Sequence, residues 1–572
     1  MFDLTLKERL RIAALSAERS KRSAITGMLA SKLLSWSFAP PPPADHILII
    51  PQDLRTADPS FWREVEQGQF GLAGSIAFLR GCSPFDIVPP NTGWLRELHG
   101  FGWLRNLDGA MDEGARQAAR RLCSEWALRY HTGTGVSAEP AVAARRLISW
   151  ISHADLLLED ADNATYDRLT DSLGRQLAVL SGSWRESVDG HPRLLALIAL
   201  TFAGLSIAGH DRQLKDAEIA LSAELDRQIL PDGGHMSRNP AVLVELMLDL
   251  LPLSQCFLAR TRRQPPGLLP AMARIMPMLR FLRLGDGMLA RFNGMGVPMA
   301  AGLGTVLAYD DGAAPALSEA RASGYARLER AGSIVLADVG TPPPLAMAGE
   351  AQAGCLSFEM SAGARLLFVN GGMPGAAGAD WNAIARATAS HNTLCLAEKA
   401  SSKLIPHRRL EALVGAPPIR HPDHVAWHME EVKGGVVLQG RHDGYCRRFG
   451  LVHSRRLLLS ADGLRVEGCD RLGGRHEAVR LRQDLPFAIH FHLCADAGCR
   501  MLGEENAAEI ELSDGQRWRL RAHGATLAIE ESTCFANSTG PRRALQIVLR
   551  GATHGESEVH WKVERMYAEE TE

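Results

Sequence analysis

The ten cysteines include no C-x-x-C pair, which argues against a zinc ribbon or a thioredoxin-like redox site. No window of about 18 uncharged apolar residues occurs, so nothing reads as a transmembrane segment. Charge of one sign is also scarce. The formal net charge is −2 over 572 residues, which provides no large field to gather nucleic acid or anionic lipid, and a nucleic-acid partner is disfavoured. An unbroken apolar leader is missing too. Lys7, Arg9, Arg11, Arg19, Lys21 and Arg22 crowd the N-terminus, and Lys32 interrupts the apolar stretch from Ala24 to Ala39. This start reads as a basic amphipathic arm, solvated or docked on a partner, rather than as a cleavable signal. It favours a reduced, cytoplasmic setting, although the even cysteine count is compatible with disulfides in an oxidising one.

What is present is length and apolar content. With 46% hydrophobic and 22% charged residues, a chain of this size exceeds what one core sustains, so two or more domains are expected. Pro40 to Pro43 forms a stiff extended spacer after the arm, which sets off residues 1–44. From there to about residue 300 apolar residues recur at helical spacing, as in Val142 to Leu158, Tyr166 to Leu180 and Leu214 to Ile229. Leu194 to Ile207 is apolar almost all round, which suits a helix buried on every side, as in an inner ring. Asn239-Pro240 sets a capping side chain and a first-turn proline ahead of another buried helix, Val242 to Leu251.

After about residue 325 the period changes to two. Arg455 to Ser460 and Leu464 to Glu467 flank Ala461-Asp462-Gly463, and Ile510 to Ser513 and Arg517 to Arg521 flank Asp514-Gly515, so both pairs read as hairpins. Ile489 to Leu493 and Val559 to Val563 alternate apolar with polar, as half-buried antiparallel strands do. The expectation is a multidomain chain, α then β, whose second half is an antiparallel β-sandwich.

Between the two buried helices lies a turn-forming segment, Pro231 to Arg238, that delivers polar side chains to a helix N-terminus. The free N–H groups there would stabilise an anion by roughly 0.3–2 kcal/mol. Three stretches stand out in order: Asp232-Gly233-Gly234-His235-Met236-Ser237-Arg238-Asn239-Pro240; Ser357-Phe358 leading into Leu367 to Gly372; and Ser390-His391-Asn392-Thr393-Leu394. The hairpin from His453 to Leu472 is a weaker fourth. Together, over most of residues 230–475, they resemble the heparinase II/III group of polysaccharide lyases. The resemblance implies an incomplete (α/α) toroid over residues 45–320 followed by the sandwich over 325–572. It also implies β-elimination on a uronic-acid-containing, acidic polysaccharide, in a periplasmic or envelope setting. In that reaction an Asn, a His or a cation neutralises the C6 carboxylate, and a Tyr or His moves the C5 proton.

Several positions depart from the group's pattern. Ser237 stands where an acidic residue is usual, Arg238 is kept, and Val242 takes the place of the Tyr that serves as acid and base. Valine cannot transfer a proton. Gln352 matches a His that works in catalysis or a metal site. Of the Asp and His of zinc-bearing members, only His391 remains, with Asn370 near the Asp position. One His, one amide and one Gln make a poor zinc shell, so no metal and no cofactor are expected. Gly190-His191-Pro192-Arg193 loosely matches an inner-helix Asn or His.

The candidates are therefore His235, Asn239, His391, Asn392 and Tyr445 for catalysis, and His191, Arg193, Arg238 and Gln352 for substrate binding. Each has a plain alternative: His235 could close its loop, Asn239 could only cap a helix, His391 could be a buried, hydrogen-bonded ring, and Tyr445 could be core packing. The function expected is that of a polysaccharide lyase-like protein. One alternative, favoured by Val242 and Gln352, is a catalytically inactive relative that binds an anionic glycan or an envelope partner. Another is a glycoside hydrolase, which needs two carboxylates roughly 5–10 Å apart; Glu245 and Asp249, one helical turn apart, are the pair to test.

Overall fold

The computed structural model describes residues 5–17, 42–130, 135–260, 262–312, 315–405, 418–474, 483–503 and 506–566, with positions 410, 411, 414 and 481 between them. Arg19, Lys21, Arg22, Ala24 to Ala39 and the first two prolines of the spacer lie outside the described residues.

The N-terminal half is helical. At its centre is His191–Ser206, buried from Leu194 through Ser206 and opened by Pro192 in its first turn. It packs against Pro140–Ser152, Asp211–Gln228 and Pro240–Ala259, so all its faces are apolar because all are covered. Asn239 caps Pro240–Ala259 by accepting a hydrogen bond from the Ala241 amide. By length and composition that helix could cross a membrane, but 78% of its apolar window is buried inside the protein, which makes it a core helix. The periodic stretch from Val142 to Leu158 is two helices, Pro140–Ser152 and Ala154–Leu158, divided at His153. The helical half also holds one hairpin that its spacing did not predict, Gln69–Leu72 with Ser75–Phe78, which turns through Ala73 and Gly74 at positive φ and buries Phe70 against Trp94 and Trp103.

The second half is the antiparallel sandwich. One layer is an eight-stranded sheet in the order Gly498–Met501, Ala507–Glu511, Arg517–His523, Ser557–Met566, Arg465–Gly474, Leu451–Ser460, Gly435–His442, Val425–Val432. The other layer consists of a five-stranded and a four-stranded sheet, joined where Phe368 bridges Leu493 and the Val369 amide donates to the His492 carbonyl. The layers meet at Trp561, which stacks on Phe358 (5.8 Å, 7°) and meets Phe491 edge-on (4.9 Å), pairs worth about 0.5–1.5 kcal/mol each beyond area burial. All ten cysteines are unpaired thiols. The first helix, residues 6–17, docks on the sandwich half: Ile12 packs with Ile405, Val414 and Ile419, and Glu8 accepts a hydrogen bond from Lys403 (2.9 Å).

Candidate functional site

The Asp232-to-Pro240 loop lies on the seam between the two halves, and its glycines are there for close approach. A Cβ on Gly233, which sits at φ +88°, would fall 1.9 Å from the Arg274 carbonyl oxygen, and one on Gly234 1.9 Å from Ser323 Oγ. Asp232 accepts from the Ser323 amide (2.7 Å) and hydroxyl (2.6 Å). Arg238, 6% exposed, spends all five N–H donors on the same junction. They go to the carbonyls of Ser323 (2.6 Å), Gly324 (2.9 Å), Gly340 (3.5 Å) and Thr341 (3.2 Å) and to the Asp338 carboxylate. The guanidinium also lies over the Tyr325 ring at 4.7 Å. This corrects its expected role as a substrate ligand: no donor remains for a uronate, and Arg238 binds one half of the protein to the other.

His235 is buried in the same loop. Its Nδ1 accepts from the Ser237 amide (3.0 Å) and hydroxyl (2.7 Å), which fixes the tautomer and leaves Nε2–H to donate to Gln228 Oε1 (2.9 Å). Burial and the neighbouring His191 hold it neutral, pushed down to about 3. The loop-closing role is the one the geometry supports. Asn239 caps its helix through Oδ1 (2.9 Å) and donates through Nδ2 to Glu350 (2.8 Å), whose own pKa is raised by burial.

His191 and Arg193 part company at the start of the inner helix. Arg193 turns to Asp189 (3.2 Å) and the Ser187 carbonyl (3.3 Å), so it does not join the His191 group. His191 faces a charged wall built from four helices and the segment before them. Asp249 is clamped by Arg55 (2.8 Å) and Arg145 (2.7 and 2.9 Å), Glu245 by Arg55 (2.7 Å), and Asp53 by Arg105 (2.8 Å). Opposing burial, Arg145 and Arg55 hold Asp249 and Glu245 below the usual carboxylate range, and His153, followed by Arg105 and Arg55, does the same for Asp53. A general acid must keep its proton near neutral pH, so Glu245 and Asp249 fail as a hydrolase pair. Glu97 is raised by burial, and the charge of Glu245 adds to this. The wall thus sets four carboxylates against three guanidiniums and His153, whose pKa Asp108 and Asp53 raise against burial, so its cations are engaged by carboxylates of the protein rather than free for a polyanion. Val242 is half-buried and packs on the helical core.

On the sandwich side, His391 is 1% exposed. Its Nδ1 donates to the Ala387 carbonyl (2.8 Å), which leaves Nε2 as a bare acceptor with no partner among the described protein atoms. Burial pushes its pKa down to about 4. Gln352 Oε1, Asn370 Nδ2 and Ser357 Oγ are likewise buried without protein partners, while Gln352 Nε2 donates to the Ala385 carbonyl (3.3 Å). The neighbouring Asn392 is wholly committed. Its amide donates to Asn370 Oδ1 (2.9 Å), Nδ2 to the Phe358 carbonyl (2.8 Å), Oδ1 accepts from the His492 amide (2.6 Å), and its carbonyl accepts from Arg455 (2.6 Å). Arg455 is in turn paired with buried Asp470 (2.8 and 3.0 Å), which also takes His453 (2.7 Å). Tyr445, the suggested replacement proton donor, is sealed in the core with its hydroxyl donating to the Leu394 carbonyl (2.8 Å). That corrects the expectation for Tyr445 and for Asn392: neither presents a free group.

Sequence reading overlooked Asp338, Glu350 and the two guanidiniums, Arg55 and Arg145, that clamp Asp249. One signal was available for Asp338: a lone carboxylate closing the apolar strand Ser333–Asp338 must find a cation when buried.

A helical domain feeding an antiparallel sandwich is the fold of the heparinase III structures. A family model described as Heparinase II/III-like, C-terminal, matches residues 312–562, and the chain belongs to the heparinase II/III-like family. The full chain is 32% identical over 525 residues to FtsZ-localized protein C of Caulobacter vibrioides, a match covering 90% of this chain and 89% of that protein. The fold is similar to a crystal structure of heparinase III (TM-score 0.70, 13% identity, covering 89% of this chain and 85% of that one). It is also similar to the heparan sulfate lyase HepC of Pedobacter heparinus (TM-score 0.60, 15% identity, covering 96% and 89%).

Proposed function

We propose that this protein is a heparinase-fold binding protein that has given up β-elimination and works where FtsZ localises, as the name of its Caulobacter relative says of that protein. The observation that carries this reading is the lack of a free proton donor among the catalytic candidates, since the His391 ring donates its Nδ1–H to the Ala387 carbonyl. Val242 has no acidic proton, His235 and Tyr445 are tied into the fold, and Arg238 has no donor left for a carboxylate. The charged wall around His191 supports it, because its guanidiniums are already paired with carboxylates and not free for a polyuronate.

Lyase action on an acidic glycan is the second reading, and the bare Nε2 of His391 is what favours it. Incubating the purified chain with a panel of uronic-acid polysaccharides and following ultraviolet absorbance separates the two, since elimination leaves a conjugated double bond. Silence is expected. A rising signal that disappears in His391→Ala would establish the lyase. A fluorescent fusion imaged beside labelled FtsZ tests the location: a shared band is expected, and a diffuse signal would sink that part of the proposal.

A further inference from the structure

The solvent face of the eight-stranded sheet holds a second chemical cluster, unrelated to the His391 group. Along Arg465–Gly474 the even positions Val466, Gly468 and Asp470 point into the core, and in Ser557–Met566 the odd positions Val559, Trp561 and Val563 do so. Period-two alternation therefore turns Cys469, Glu558 and His560 outward. Cys469 stands directly opposite His560, and on the other side His560 stands opposite His523 of Arg517–His523. Three adjacent strands thus present His523, His560 and Cys469 in one row, with Glu558 on the same face two residues before His560.

The ligating atoms of Cys469, Glu558 and His560 all lie within 4.8 Å of one another. Glu558 Oε1 accepts from Cys469 Sγ (3.3 Å) and from His560 Nε2 (2.9 Å). Tetrahedral zinc, with bonds of about 2.0–2.3 Å, spaces its ligand atoms roughly 3.3–3.8 Å apart, so small side-chain rotations suffice to enclose an ion. Directly opposed residues have Cβ atoms about 4.5–5.5 Å apart, so His523, opposite His560 and outside the 4.8 Å group, is the neighbouring imidazole whose side-chain rotation would supply a fourth donor. Thiolate, imidazole and carboxylate are the donors zinc prefers, in contrast to the amides beside His391.

We propose that Cys469, Glu558, His560 and His523 form a structural Zn²⁺ site that staples three strands of the eight-stranded sheet. The expectation of a metal-free protein was drawn from the Gln352, Asn370 and His391 positions and does not bear on this face. Binding displaces the Cys469 proton to solvent, so affinity rises with pH. Without metal the thiol is pushed up to about 12 by burial and by the hydrogen bond and charge of Glu558.

The test uses the full chain, stripped with chelator and titrated with Zn²⁺ and, for spectroscopy, with Co²⁺ alone. One equivalent of Zn²⁺ should bind and raise the unfolding temperature, and Co²⁺ should give a sulfur-to-metal charge-transfer band with tetrahedral ligand-field bands. Cys469→Ser and His560→Ala should each weaken Zn²⁺ binding by more than the roughly 10–100-fold that outer-shell changes cost. His523→Ala should weaken it and shift the Co²⁺ ligand-field bands as water takes the fourth position. Cys499→Ser, a change to another partly exposed thiol of the sheet, should change neither. Failure to bind an equivalent of Zn²⁺, or binding that survives Cys469→Ser, overturns the site; Zn²⁺ affinity and Co²⁺ bands unchanged in His523→Ala overturn its fourth ligand.

Discussion

His235 lies in the helical half and His391 in the sandwich half, both buried and both held neutral, yet they are built into the protein differently. His235 has both ring nitrogens engaged by its own loop and by Gln228, whereas His391 spends one nitrogen on a carbonyl and leaves the other bare among unpartnered amide and hydroxyl atoms. The helical side is architecture, with Arg238 as its main fastening, and the sandwich side keeps a buried ring with one unpartnered nitrogen.

The largest effect should come from the fastening. Arg238→Ala leaves Asp338 buried without its cation, and urea unfolding should show a loss of about 3–5 kcal/mol; a loss under about 1 kcal/mol would mean that the seam is held elsewhere. Next come the two rings. His235→Ala should cost about 2–3 kcal/mol and His391→Ala about 1–2 kcal/mol, since the first deletes both engaged nitrogens and the second only one. Equal costs would erase the distinction drawn here.

Acid should reveal the same rings. Their folded pKa values, about 3 and about 4, lie below the unfolded value near 6.5, so the unfolded chain takes up more protons as pH falls. Stability is therefore full above pH ~6.5 and declines on acidification toward pH ~4, by up to about 2 kcal/mol per ring at pH 5. Glu359, raised to about 7 by burial, acts in the opposite sense, but His99 and His492, lowered to about 4 and about 3, add to the decline. Thermal unfolding between pH 7.5 and 4.5 checks the sign; a midpoint that rises on acidification would refute it. The smallest change should be Glu245→Gln at the half-accessible end of the charged wall, about 0–1 kcal/mol in the same unfolding assay.

Much of the fold was legible because two periodicities and their punctuation are local properties of the chain. The all-round apolar run of the inner helix, the Asn239-Pro240 cap and the Asp-Gly hairpin turns each became the element they announced. The hairpin at Gln69–Leu72 and Ser75–Phe78 was missed because its strands are too short to show alternation. The site was harder to read. The motif positions were visible, but whether Arg238 meets a ligand or a carbonyl depends on Ser323, Gly340 and Asp338, some 85–102 residues away in sequence. The tautomer of His235 depends on Ser237, and the sealing of Tyr445 on a carbonyl 51 positions upstream.

The docking of the first helix has a consequence for how the chain is made. Glu8 and its partner Lys403 are 395 residues apart, so during synthesis the helix leaves the ribosome long before its binding surface exists. At about 5–20 residues per second it waits on the order of 20–80 s, with Leu6 and Leu10, which stay exposed even after docking, in contact with whatever is nearby. A segment translated 395 residues before its partner is among the last to find its place, and a fusion to this helix would act on that late step.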